Sequence, residues 1–280
     1  MLTSGYRAAV LGHPVDHSLS PVLHETAYRE LGLADWSYER HDCEEDGLAP
    51  FLTGLDASWR GLSLTMPLKG VALTLAQEVS PTAIRARAAN TLIRRVDGGW
   101  DADNTDVYGI VAALGPHLPA TVERALILGG GATARSAMLA LADLGVGQVH
   151  AAARRPDAAA AELGPLADDL GVSLTVGPLA QWRAQTAEVA VSTLPPAGGA
   201  AAADALGDGD GPAVLLDVVY ANWPTPLAQS LMGRHRTVVD GLDMLVQQAA
   251  RQVELMTGEA PSAMVIEAMS SAARTASGRS

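Results

Sequence analysis

The chain has 280 residues, which sets a prior of two domains, and its 48% hydrophobic content is enough for sizeable cores. Only 4% is aromatic, with a single Phe, so aliphatic side chains and Ala must fill them. The formal net charge of -12 argues against a nucleic-acid binder, and one cysteine, Cys43, excludes an intrachain disulfide framework and fits a reducing compartment.

Tyr6 to Leu11 reads as a strand ending at Gly12. Ser20-Pro21 opens a helix, with Ser20 as N-cap and Pro21 in the first turn; Leu23, Ala27 and Leu31 follow at four-residue steps, and Gly32 closes it. Ser37 to His41 and Leu62 to Thr65 are further strands. Thr91 to Val96 and Trp100 to Ala102 flank the hairpin signal Asp97-Gly98-Gly99, and Asn104 or Thr105 caps a helix carrying Ile110, Val111 and Leu114. After Pro119 the pattern changes. Apolar runs at Ala125 to Leu128, Gln148 to Ala153, Val172 to Val176, Glu188 to Ser192, Ala213 to Val219 and Thr237 to Asp240 alternate with helices, one Ala-rich to about Leu144 and one from Ala158 to Leu170. That alternation implies a parallel sheet covered on both faces. Pro195 to Gly211 is a mobile loop or a weak helix, and helices at about Leu242 to Thr257 and Pro261 to Arg274 end in a frayed Ser-Gly-Arg-Ser. No stretch reaches the ~18 apolar residues of a membrane span, and no signal peptide is visible, so a cytoplasmic protein is expected. Cys43, flanked by Asp42, Glu44 and Glu45, reads as a structural thiol rather than a nucleophile.

Gly129-Gly130-Gly131-Ala132-Thr133-Ala134 follows a strand, opens a helix and matches G-x-G-x-x-A. Gly129 makes the tight turn, Gly131 lets the backbone approach a pyrophosphate, and Ala134 allows close helix–strand packing. The next strand ends in Arg154-Arg155, with no acid there to take a ribose 2′-hydroxyl. Arginine forks suit a 2′-phosphate, so the expected cofactor is NADP.

Ahead of this half stand four polar clusters. Ser18-Leu19-Ser20-Pro21 puts two hydroxyls at a helix N-terminus, a place suited to a carboxylate. The others are Leu64-Thr65-Met66-Pro67-Leu68-Lys69, Ala88-Ala89-Asn90-Thr91 and Asp103-Asn104-Thr105-Asp106. Asp217-Val218-Val219-Tyr220 with Pro224-Thr225-Pro226-Leu227, and Asp240-Gly241-Leu242-Asp243-Met244-Leu245-Val246-Gln247-Gln248-Ala249, follow the glycine motif. In this order the segments resemble the shikimate dehydrogenase family: its S-x-S-P, N-V-T-x-P-x-K, A-x-N-T, D-N-T-D, D-x-x-Y…TP-L and D-G-x-x-M-L-x-x-Q-A signatures, over nearly the whole chain.

The resemblance implies two α/β domains. An N-terminal open α/β substrate-binding and catalytic domain comprises residues 1–106, completed by the C-terminal helices of 241–280, and a Rossmann-like NADP-binding domain comprises 107–240. It implies reversible reduction of 3-dehydroshikimate to shikimate, on the route to chorismate and the aromatic amino acids. Lys69 and Asp106 are then the catalytic pair. Ser18 and Ser20 bind the ring carboxylate, Thr65, Asn90 and Gln248 the ring hydroxyls, and Tyr220 lies near the ring or the nicotinamide. Cofactor contacts are expected from Gly129 to Ala134, Arg154, Arg155, Thr193, Val218 and Gly241, with no metal. Three departures stand out: Leu62 and Ser63 for the Asn and Val of the lysine motif, Ala153-Arg154-Arg155 for N-R-T, and Asp243 where Gly is common. Ser20 and the two arginines favour shikimate and NADP over the alternative of a quinate/shikimate dehydrogenase using NAD. A non-catalytic NADP-binding regulator would need neither Lys69 nor Asp106, and a folate-type methylene dehydrogenase no serine cradle. The expected partner is the small-molecule substrate, with the chain as monomer or homodimer and neither nucleic acid nor membrane bound.

Overall fold

The computed structural model describes residues 5–279, which divide into two compact units, 1–109 with 245–280 and 110–244. Unit 1 contains β1 (Tyr6–Gly12), α1 (Ser20–Glu30), β2 (Trp36–Asp42), α2 (Glu45–Thr53), β3 (Trp59–Leu64), α3 (Ala72–Leu75), β4 (Glu78–Val79), α4 (Pro81–Ala86), β5 (Thr91–Arg94) and β6 (Trp100–Asp103). Its sheet runs β2-β1-β3-β5-β6-β4, with β1 parallel to both neighbours and β5 antiparallel to β3 and β6. Helix α5 (Thr105–Leu114) crosses the first boundary, α10 (Gly241–Thr257) crosses the second, and α11 (Ala263–Ala276) packs along α1.

Strand alternation sorts the faces of β3. Leu62 and Leu64 join a cluster with Leu11, Leu48, Leu92 and Ala102. Gly61 and Ser63 point the other way, onto α10. A Cβ on Gly61 would run into the Met256 side chain, so glycine there lets the helix lie close to the strand. Gln248, Gln252 and Met256 stand one turn apart on that helix.

Unit 2 contains β7 (Arg124–Leu128), α6 (Ala132–Asp143), β8 (Gln148–Ala153), α7 (Pro156–Leu170), β9 (Ser173–Pro178), β10 (Val189–Ser192), α8 (Pro196–Leu206), β11 (Val214–Asp217), α9 (Pro226–Met232) and β12 (Thr237–Asp240). Its six strands are all parallel, ordered β12-β11-β10-β7-β8-β9, a Rossmann-like sheet with its order reversing at β7/β10. β10 and β11 are buried at every residue, as strands covered on both faces must be. Trp182 anchors one side, its indole N–H donating to the Ala202 carbonyl of α8 at 2.9 Å. Among the described residues no helix is long and apolar enough to cross a membrane.

Several expectations need correction. Leu19, not Ser20, is the N-cap of α1; Ser20 is the first helical residue, its hydroxyl turned to other partners. Of the two readings of Pro195 to Gly211 the helix is the one found: Pro196 starts α8, which runs to Leu206 with Ala202 and Leu206 fully buried, and only the residues after it are irregular. Sequence reading gave no sign of α2, α3, α4, α9 or β4, which are short or carry a mid-helix Pro50. Ser277 and Arg279 bond back onto the end of α11 rather than fraying, and Ser280 lies outside the described residues.

Candidate functional site

In unit 1 the sheet order reverses on the two sides of β1, so the chain turns away from β1 and β3 in opposite senses and leaves a crevice at their C-terminal ends. The polar clusters collect at that edge. Ser18 lies in the turn after β1 with Ser20 opening α1 behind it, and Thr65 to Lys69 lie in the turn after β3; Asn90 enters β5 beside them. Asn104 to Asp106 leave β6 into α5. A Cβ on Gly12 would strike the Thr65 side chain, which is why β1 ends in glycine.

The centre is an ion pair: Lys69 Nζ lies 2.6 Å from Asp106 Oδ2, with side chains 22% and 8% exposed. The Lys69 carbonyl is fixed by the Ala89 N–H at 2.8 Å. Asp106 is held by its own N–H on Asn104 Oδ1, at 3.1 Å, and by Asn90 Nδ2 donating to Oδ1 at 2.8 Å. Asn90 also donates to Gln248 Oε1 at 2.8 Å and accepts the Thr105 N–H at 2.8 Å. With its oxygen facing Asn90, Gln248 keeps its two N–H donors for a ligand, and Lys69 keeps two of its three. The Thr65 hydroxyl is half-buried, without a partner among the described residues. Ser18 donates to Ser20 at 3.2 Å, and Arg40 holds the Ser18 carbonyl at 2.9 Å. The edge thus presents hydroxyl, amide and ammonium donors around one ion pair, a set suited to a polyhydroxylated anion with a reducible carbonyl.

Aligning N-V-T-x-P-x-K on Thr65, Pro67 and Lys69 puts its Asn at Ser63 and its Val at Leu64, not at Leu62 and Ser63. The departure is larger than a backbone contact, because Ser63 is buried and accepts from Tyr38 at 2.6 Å. One signal in the sequence was overlooked. Of its nineteen lysines and arginines, Lys69 is the only lysine. Elsewhere charge alone suffices and the chain uses arginine; here stands a compact ammonium with three rotatable donors rather than a planar guanidinium fork.

In unit 2, Gly129 follows β7 and Thr193 follows β10, on either side of the switch point. Gly129 has φ +126, and a Cβ there would strike Thr193 Oγ1. Gly130, expected as a cofactor contact, also packs against α7: a Cβ would sit 2.6 Å from the Ala159 Cβ. A Cβ on Gly131 would meet nothing, so its backbone faces open space, while Ala134, in the first turn of α6, is fully buried. These glycines, Thr193, Arg154 and Arg155 line a cavity of about 940 Å³. Both arginines are exposed, and among the described residues neither has a hydrogen-bond or ion-pair partner. Such a wall can take a dinucleotide, with glycine N–H groups on the diphosphate and two free guanidiniums for a further phosphate.

Ala132, Thr133, Ala134, Val218 and Gly241 do not line that cavity. Gly241 has a packing reason: a Cβ would collide with the Val218 carbonyl. Asp217 and Thr225 explain another motif. Thr225 caps α9 and donates to Asp217 Oδ2 at 2.6 Å, while burial pushes the Asp217 carboxyl above its ordinary range. Tyr220 belongs to this unit and is half-buried, its hydroxyl also pushed up by burial. Asp243 stands in the first turn of α10, where the helix dipole favours an acid. Burial, with Asp42 and Asp46 nearby, pushes the Cys43 thiol up, away from a reactive thiolate. No cluster of metal-ligating side chains exists among the described residues.

A lysine–carboxylate pair in one α/β unit and a Rossmann-type glycine turn in the other define the class, a two-domain nicotinamide-dependent oxidoreductase. Family models for the shikimate dehydrogenase substrate binding domain and the shikimate 5′-dehydrogenase C-terminal domain match residues 10–92 and 241–274. Shikimate dehydrogenases (NADP(+)) of Caulobacter vibrioides and Methylobacterium radiotolerans are 34% and 36% identical to the chain, over 90% and 91% of it and 90% and 92% of their own lengths. The shikimate dehydrogenase structure of Mycobacterium tuberculosis aligns with a TM-score of 0.87 at 44% identity, covering 96% of this chain and 99% of that one. The shikimate 5-dehydrogenase of Thermus thermophilus, in complex with NADP(H) and shikimate, gives 0.80 at 33% identity, covering 97% and 99%. The chain belongs to the shikimate dehydrogenase family.

Proposed function

We propose that the chain is an NADP-dependent shikimate dehydrogenase, reducing 3-dehydroshikimate to shikimate and running the reaction in reverse. The observation that carries this is the Lys69–Asp106 pair, 2.6 Å apart and ringed by donors from motifs scattered through the sequence. NADP(H), when bound, supplies or accepts the hydride. Gly129, Gly130, Gly131 and Thr193 hold its diphosphate side and Arg154 with Arg155 its 2′-phosphate, and the first turn of α6 and the Val218 and Gly241 region flank it. This makes unit 2 the cofactor unit and unit 1 the substrate unit.

Lys69, as an ammonium, donates one N–H to the substrate's carbonyl oxygen, stabilises the negative charge growing there and delivers the proton that completes the alcohol. Asp106 keeps the ammonium in place and accepts from a neighbouring ring hydroxyl. Ser18 and Ser20 bind the carboxylate. Thr65 and Gln248 bind ring hydroxyls, Asn90 fixes the orientation of Asp106 and Gln248 beside them, and Tyr220 is expected near the ring or the nicotinamide. The enzyme works in the cytoplasm, as monomer or homodimer.

The test is steady-state oxidation of shikimate and of quinate, each with NADP and with NAD. Turnover confined to shikimate with NADP is expected. Comparable rates with quinate or NAD would assign the dual-specificity alternative, and no turnover with any pair would overturn the reading.

A further inference from the structure

Behind the donor-lined edge of unit 1 runs a second polar layer whose members face no ligand. Its hub is Gln252, on α10 one turn beyond Gln248 and only 1% exposed. An amide buried so deeply in apolar surroundings is costly unless satisfied, and here it has four partners. Its Nε2 donates to the Asn90 carbonyl at 3.2 Å and to Thr91 Oγ1 at 3.0 Å. Its Oε1 accepts from Ser63 Oγ at 2.8 Å and from His24 Nε2 at 3.4 Å.

The sense of each bond is fixed by its neighbours. The Asn90 carbonyl can only accept, so Gln252 must turn its NH2 toward it and its oxygen toward Ser63 and His24. Ser63 therefore gives its proton to Gln252 and accepts the Tyr38 hydroxyl at 2.6 Å. On the far side Thr91 accepts from Gln252, which leaves its own proton for Asn90 Oδ1, at 2.9 Å. The amide of Asn90 is then held with its Nδ2 on Asp106 Oδ1. Donors and acceptors alternate without a break from Tyr38 through Ser63, Gln252, Thr91 and Asn90 to Asp106, whose other oxygen takes Lys69. Bonds in such a chain polarise one another in a dry interior.

We propose that Gln252 is a positioning residue for the Lys69–Asp106 pair, acting through the Thr91 hydroxyl and the Asn90 amide. It touches neither reacting atoms nor the pair itself. Together with the Thr105 N–H on Asn90 Oδ1, it fixes the rotamer and polarity of the group that aims the Asp106 carboxylate. The proposal rests on the shikimate dehydrogenase reading, since it concerns the geometry of that reaction's proton donor. A leucine at 252 would fill similar space but release the Thr91 hydroxyl, and a valine at 91 would cut the same link with a single change of hydroxyl to methyl.

The experiment compares wild type, Gln252→Leu, Thr91→Val and the double variant, measuring kcat and KM for shikimate at saturating NADP and the NADP Kd by direct titration. Misplacing a catalytic group by a fraction of an ångström to 1 Å costs up to ~100-fold. Each single change is therefore expected to lower kcat by roughly 10–100-fold, with shikimate KM and NADP Kd within about 3-fold. Because both changes cut one chain, the double variant should be no worse than the more damaged single. Thr91→Ser, which keeps the hydroxyl, should return kcat to within about 3-fold of wild type. Multiplying losses in the double variant, or a folded Thr91→Val enzyme with wild-type kcat, would overturn the proposal. Should Gln252→Leu fail to fold, Thr91→Val and Thr91→Ser decide the matter alone. A wild type inactive on shikimate would sink the functional reading and this proposal together; an active one with an unaffected Thr91→Val variant sinks only the proposal.

Discussion

Replacing Lys69 separates two duties of one ammonium. Its Nζ sits 2.6 Å from Asp106 Oδ2, and the geometry leaves two N–H donors for the substrate oxygen. Positioned acid catalysis contributes ~10²–10⁴-fold, and a single donor to a developing oxyanion ~10²–10³-fold. The two overlap, since one group performs both. Lys69→Ala should thus lower kcat by ~10³–10⁵-fold, about 4–7 kcal/mol of transition-state stabilisation. Shikimate KM should move by less than about 5-fold, because the interaction is strongest in the transition state. Stripping one partner from a fully buried pair costs ~3–5 kcal/mol, and water reaching the partly exposed lysine site should reduce this to about 1–3 kcal/mol. Lys69→Arg keeps the charge and should recover most of that stability, but a guanidinium with a pKa above ~12 does not deliver a proton, so kcat should stay within about 10-fold of the alanine variant. Initial rates at saturating NADP and urea unfolding of the three proteins provide the comparison. An arginine variant with near wild-type kcat would remove Lys69 from the proton-donor role, and a raised KM with intact kcat would reassign it to ground-state binding.

Full burial holds His24 well below its ordinary value, at about 3, so the folded protein keeps it neutral while the unfolded chain protonates near 6.5. Its contribution is complete above pH 6.5 and is lost as pH falls toward 3; between pH 7 and 5 it should remove about 2 kcal/mol of unfolding free energy, at ~1.36 kcal/mol per pH unit. Urea melts at the two pH values should show a smaller difference for His24→Phe, and an equal difference would contradict the neutral assignment. Arg154→Gln combined with Arg155→Gln should reduce kcat/KM with NADP by roughly 10–100-fold while leaving NAD within about 3-fold, since only the 2′-phosphate is lost as a partner; equal losses with both cofactors would refute that role. Gly130→Ala places a Cβ 2.6 Å from Ala159 and should weaken NADP binding by about 10-fold through displacement of the glycine turn, with shikimate affinity of the free enzyme unchanged in a direct titration.

The second half of the fold was the more legible. Its strands are largely apolar runs, and β8 and β12 fall where the pattern predicts them; the central β10 and β11 carry that signal most fully, being buried at every residue. Unit 1 gave less. Helices α3 and α4 have four and six residues, too short to establish a period, and the mixed strand directions depend on pairings that no local pattern records. The pair proposed as catalytic was readable because Lys69 and Asp106 sit in dense polar motifs. The second polar layer was not. Tyr38, Ser63 and His24 look locally like a strand aromatic, a strand serine and a helix histidine, and become a unit only when β2, β3 and α1 are laid against α10. Ser20 was misjudged for a related reason. A serine before proline fits a cap locally, yet the backbone of Leu19 already takes that position.

The solitary lysine makes the protein its own selective probe. Apart from the chain's α-amino group, any acylating, reductively methylating or Schiff-base-forming reagent has one amine to find, and that amine lies against Asp106. An isotope-labelled methyl or fluorophore introduced on that side chain by ordinary amine chemistry therefore reports from the Lys69–Asp106 pair without mutagenesis, and surface coupling through side-chain amines, harmless in a lysine-rich enzyme, would here consume the residue proposed to donate the proton.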